Sequence, residues 1–263
     1  PMFGFRDDNL PPSAEERSGM LQRICVPACS LLPSVRNVTV LSEREEIKGS
    51  VFPEGCSVDN PISQYGGNYI ATAIPCLRAT AAARAYMQRR LSKPYATITI
   101  READYWTQRN SNIREWHKVA KWLDDRGVEP IFIPDTSGKD VDGFQNLREA
   151  SVDIDLRLAA YEGALINLGV SNGPVALFFV SSAPYLIFKM ITESCVSTTA
   201  QFLEANGLKE GGQWPGNGKI IWSEDRYSLI VDALEKFLEI KVDQPLPSAK
   251  VTVLQVPGEP LTT

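Results

Sequence analysis

Two groups of residues in this chain have types and spacing suited to holding a phosphate. The first is Ser171-Asn172-Gly173-Pro174, a polar turn with a glycine set between two apolar runs. The run 165–170 before it reads as a short buried strand, and residues 175–182 after it read as an apolar helix. Pro174 stands where a first helical turn tolerates a missing N–H. Free backbone N–H groups and the positive end of a helix would meet there, which suits an anion. The alternative is a plain connection in which Ser171 or Asn172 caps the helix. The second group is Arg101 and Arg109, in a polar loop that follows the apolar run 97–100. Guanidinium groups match phosphate oxygens in bidentate geometry.

The elements that must position these residues follow from periodicity. Strands are expected near 97–101, 131–133, 165–170, 185–188 and 219–222, each β-branched or apolar and each bounded by polar turns. Helices are expected between them, over 112–125, 153–164, 175–182 and 227–238. Asn112 and Glu115 are spaced like a capping box. This alternation predicts an α/β chain with a doubly wound, Rossmann-like parallel sheet. Ligands of such sheets lie beyond the carboxyl ends of the strands. That rule selects the polar loops Arg101–Ser111, Asp135–Ser137, Ser171–Pro174, Glu193–Thr199 and Ser223–Asp225.

The first 95 residues are less regular. Residues 21–33 read as a strand or a short helix, and Val38 to Leu41 as a strand. Residues 52–76 are irregular and proline-containing, either a lid or a crossover between domains. Residues 77–91 form an alanine-rich helix bearing Arg78, Arg84, Arg89 and Arg90. The chain is thus expected to divide into a region 1–95, a sheet domain 96–240 and a proline-rich tail 241–263 with an apolar patch at 251–254.

Composition narrows the function. A net charge of −5 across 263 residues, with a pI near 5.1, provides no basic footprint for nucleic acid, and none is expected as a partner. No apolar run approaches the roughly 20 residues of a membrane-spanning helix. The amino terminus lacks the basic and apolar regions of a signal peptide, so a cytoplasmic location is expected. The five cysteines are expected as free thiols, with Cys25 and Cys29 on one helical face. His117 is the sole histidine of the chain, which argues against a transition-metal site and against a catalytic triad built without it.

The segments TITIREADYWTQRNSNIREW (97–116), IFIPDT (131–136), NLGVSNGPVALFFVSSAPYLIF (167–188) and IIWSEDRYSLIVDAL (220–234) together resemble the donor-nucleotide-binding half of GT-B-fold glycosyltransferases. The resemblance implies a GT-B-like fold in which the region before residue 96 is a reduced or incomplete N-terminal domain. It implies a nucleotide-sugar donor and an acceptor, a glycan or another molecule. Arg101 or Arg109 would hold the donor phosphates with Ser171, Asn172 and Gly173, and Glu224 or Asp225 would meet the sugar or ribose. The expected transfer is metal-independent, and no cofactor is expected. Candidates for the base that deprotonates the acceptor are Glu102 and Asp104, with His117 better explained as structural. Tyr105, Trp106 and Trp214 could stack a base or a sugar, or simply pack. A nucleotide-binding protein without turnover and a sugar-nucleotide epimerase are the competing readings.

Overall fold

The computed structural model describes residues 13–32, 35, 37–40, 77–136, 138–193, 195, 198–205, 209–212 and 216–238. The expected irregular segment 52–76, the tail 241–263 with its patch at 251–254, Leu41 and Trp214 lie outside the described residues.

Six strands form one all-parallel sheet: β1 (Tyr95–Thr99), β2 (Glu129–Ile133), β3 (Gln145–Asn146), β4 (Ile166–Val170), β5 (Pro184–Phe188) and β6 (Asn217–Ile220). Their spatial order is β3-β2-β1-β4-β5-β6, with Thr97 aligned to Ile131 on one side and to Asn167 on the other. This is the Rossmann order, and the reversal between β1 and β4 opens a crevice at the strands' carboxyl ends. All residues of β1 and β4 are buried, because helices cover both faces. The expected doubly wound sheet is therefore present, with β3 as an addition. Two residues are too few for any alternation to show in sequence.

The expected strand at residues 38–41 does not form among its described members, and Val40 is exposed. Residues 21–30 are helical, continuing α1 (Ala14–Met20) through a wider turn into α2 (Val26–Ser30). Leu31, just beyond, is buried against the sheet's helical cover.

One face of the sheet carries α3 (Ala81–Arg90), α5 (Arg148–Val152), α6 (Ile154–Gly163) and α7 (Ala176–Phe179); the other carries α4 (Ile113–Asp124) and α9 (Tyr227–Leu238), while α8 (Ala200–Ala205) lies between β5 and β6 in the chain. In α4, Trp116, Val119, Ala120 and Leu123 recur at helical spacing and are fully buried. Trp116 meets Phe188 of β5 edge to face, ring centroids 5.9 Å apart. The α6 helix starts where Asp153 Oδ1 accepts from the N–H groups of Asp155 and Leu156, both at 2.9 Å. The polar side chains between β1 and β4 are paired: Thr97 Oγ1 donates to Asn167 Oδ1 at 2.6 Å, and Asn167 Nδ2 donates to Tyr161 O and Pro184 O.

The apolar run after Pro174 is shorter as a helix than its composition implies. Only Ala176–Phe179 is helical, one turn, before the chain bends into β5. A single turn aligns too few peptide dipoles to act as an anion-binding helix end, so the expected helix start is not the anion site. Periodicity cannot distinguish a buried single turn from a buried helix when every residue is apolar.

Candidate functional site

The loop after β1 is pinched at its base, where Arg101 N donates to Ser111 Oγ at 2.9 Å and Ser111 N donates to Arg101 O at 3.0 Å. Inside the loop the Arg101 guanidinium donates to Tyr105 O at 3.1 Å, to Trp106 O at 3.2 Å and to Asn110 Oδ1. These bonds hold Trp106 at φ 46°, a left-handed conformation that costs a non-glycine residue about 1–3 kcal/mol. Arg101 is only 5% exposed and has no carboxylate ion-pair partner among the described residues. Burial, and then the neighbouring Arg109 charge, pull its guanidinium below its ordinary pKa.

A cavity of about 560 Å³ lies across the switch point, bounded by the loops after β1, β2 and β4 and by α5 and the start of α6. Arg101, Tyr105, Asn172, Gly173 and Arg157 line it, and Ile154, Leu177 and Val180 supply apolar wall. The turn after β4 contributes Asn172 and Gly173, whose N–H groups meet no acceptor among the described residues. Asn172 Oδ1 accepts from Val175 N at 3.2 Å, so the capping role is also present. A side chain added at Gly173 would meet nothing within 4 Å.

The other sequence-derived candidates divide around this cavity. Arg109 and Ser171 sit behind it: Arg109 Nη2 donates to Ser171 O at 3.1 Å, and Nη1 lies 3.7 Å from Cys195 Sγ. Arg109 Nε is buried without a partner among the described residues. Glu102 is exposed, with Oε2 accepting from Lys139 N at 3.1 Å. Asp104 is exposed between Ala103 and Tyr105, both of which line the cavity. His117 lies on α4 with Nε2 3.0 Å from Asp142 O and its ring against Phe144.

Glu224 and Asp225 are placed apart from the cavity. Glu224 lines a second, more polar cavity of about 650 Å³ with Lys189, Thr192, Trp222 and Arg226. Asp225 is 2% exposed and turned inward. Its Oδ2 accepts from Asn112 N at 2.6 Å and from Trp116 Nε1 at 2.9 Å, and Oδ1 lies 3.7 Å from Lys189 Nζ. Asp225 thus caps α4 through space, accepting the Asn112 N–H that the capping-box pattern assigned to Glu115, while the Asn112 side chain caps nothing. Glu115, the other half of that pattern, accepts instead from Tyr227 N at 2.8 Å at the start of α9. Loop position alone does not reveal whether a carboxylate faces solvent or a neighbouring helix end.

Sequence reasoning missed Arg157. The available signal was a charge at helical spacing from Ile154 and Tyr161, on the face that the helix buries.

No protein-family model matches the chain, and no curated protein sequence matches it. Among solved structures it is similar to E. coli ADP-heptose LPS heptosyltransferase II, with a TM-score of 0.42 and 9% sequence identity. The likeness covers 61% of this chain and 52% of that one, so the chain spans about half the length of that structure. Among the described residues no helix is long and apolar enough to cross a membrane.

Proposed function

We propose that the switch-point cavity binds a nucleotide-activated sugar, and that the chain is the donor-binding part of a metal-independent glycosyltransferase. The observation that carries this reading is the pairing of two buried arginines, Arg101 and Arg157, in one cavity without a carboxylate ion-pair partner among the described residues. A buried cation that forms no ion pair is costly, and an anionic ligand offsets that cost. The free N–H groups of Asn172 and Gly173 add donors beside them, while Tyr105, Leu177 and Val180 offer a surface for a nucleobase.

In this reading the bond from the anomeric carbon to the diphosphate oxygen breaks, and the acceptor oxygen forms the new bond. Arginines and backbone donors stabilise the charge that develops on the leaving diphosphate. The acceptor proton passes to a base at the cavity mouth. Asp104, flanked by two cavity-lining residues, is better placed for that than Glu102, whose carboxylate already accepts from a backbone N–H.

Binding without turnover is the second reading. The two carboxylates that line the cavity favour it, because both are engaged: Asp135 accepts from Glu102 N and Thr136 N, and Asp153 caps α6. The same engagement disfavours an epimerase, which needs carboxylates facing the donor sugar. Thermal melts and calorimetry with ADP, GDP and UDP test the site, since a ligand of the folded state raises its stability. Absence of binding by all three overturns the reading. Sugar transfer to an acceptor, measured with the protein that binds, then separates transferase from binding protein.

A further inference from the structure

We propose that Arg157 is a ligand-binding residue that takes an oxyanion of the substrate in the switch-point cavity. This rests on the donor-site reading above. Arg157 extends from the second turn of α6 and is 6% exposed, yet it lines the cavity. Its Nε donates to Ala150 O at 2.6 Å, fixing the plane of the guanidinium against α5. Its Nη1 is buried with no partner among the described residues. Of the two carboxylates that share the cavity wall, Asp135 accepts backbone N–H groups at both oxygens and Asp153 accepts two at Oδ1, and neither forms an ion pair with Arg157 among the described residues.

A purely structural arginine would present a different picture. Bracing α5 against α6 needs one donor for Ala150 O, which a neutral side chain could supply. A fixed guanidinium with unused donors at a cavity wall is instead arranged for a planar or tetrahedral oxyanion. Two substrate groups have that chemistry: a phosphate of the nucleotide, or the carboxylate of an acidic sugar. An arginine held at two points, by Ala150 and by the ligand, would distinguish substrates carrying that anion from those lacking it.

Calorimetry on the wild type and on Arg157→Met tests the assignment, with ADP, GDP, UDP, inorganic pyrophosphate, UDP-glucose and UDP-glucuronate as probes. Melting temperature is measured on each protein. The expected result is at least tenfold weaker binding by the variant, with a melting temperature lowered only modestly by loss of the Ala150 hydrogen bond. Loss on every phosphate-bearing probe identifies the phosphate as the partner; loss confined to UDP-glucuronate identifies the sugar carboxylate. Equal affinities in variant and wild type overturn the inference and leave the donor site standing. A wild type that binds none of the probes overturns both. Should the methionine variant fail to fold, Arg157→Lys keeps the charge without the fork, and the same loss of affinity is expected of it.

Discussion

Arg109 Nη2 donates to Ser171 O at 3.1 Å, tying the loop after β1 to the turn after β4 across the point where the strand order reverses. The bond joins two segments that sequence reading selected as separate phosphate contacts. It makes Arg109 a support for the turn, set behind the cavity that Asn172 and Gly173 line.

Removing this support should loosen both loops. Arg109→Met is expected to lose about 1–3 kcal/mol in urea unfolding, the usual worth of a hydrogen bond to a charged group. Nucleoside diphosphate affinity should fall with it. Arg109→Lys should recover little, since a point charge cannot span Ser171 O and Cys195 as a fork does. Full stability in the methionine variant would show that the bond contributes nothing.

Two glycines should respond in opposite ways to alanine. At Gly173 a Cβ meets open space, so Gly173→Ala is expected to stay within about 0.5 kcal/mol of wild type. Any drop in nucleotide affinity then reports crowding of the ligand. At Gly218 a Cβ would lie 2.3 Å from Tyr185 O and 2.4 Å from its ring. Gly218→Ala should therefore cost about 3 kcal/mol or more, by forcing β6 away from β5. Denaturant unfolding of the two variants side by side checks both expectations.

Asp225 should behave as part of the framework. Asp225→Ala leaves Asn112 N and Trp116 Nε1 without their acceptor, at about 1–3 kcal/mol for each buried donor, while Lys189 keeps Glu224 and Asn110 O. Asp225→Asn keeps an acceptor and should lose less. Calorimetry on whatever folded protein remains should show unchanged nucleotide affinity. Weakened affinity without loss of stability would place Asp225 at the donor instead.

Glu162 gives the fold a pH dependence. Its carboxylate accepts from Ala79 N at 3.1 Å and lies 3.8 Å from Arg84 Nη1, but burial outweighs both and raises its pKa. A raised value in the folded state means that folding favours the protonated acid. That contribution is fully present below the ordinary carboxylate pKa and is lost as pH rises through the raised one. Relative to Glu162→Gln, the wild type should therefore lose stability on going from acid toward neutral pH. Urea midpoints of both proteins across that range measure the difference; parallel curves would mean that Glu162 titrates alike in the folded and unfolded chain.

The sequence by itself determined the sheet. Runs such as Thr97-Ile98-Thr99 and Ile131-Phe132-Ile133 have one stable use in a chain that alternates them with amphipathic helices: burial on both faces of a parallel sheet. It also indicated the carboxyl-end loops, because polar segments must follow buried strands. Other features were decided by tertiary contacts. Phe178 is buried whether its helix runs one turn or two, so composition could not show that α7 ends at Phe179. Asp225 and Glu224 are adjacent acidic residues in one loop, yet one caps α4 from the side and the other faces a cavity. Arg157 lies within a helix pattern where a charge ordinarily points to water. Only the packing of α5 and α6 over the sheet turns it toward the cavity, since local periodicity specifies a helix face and tertiary structure decides what that face meets.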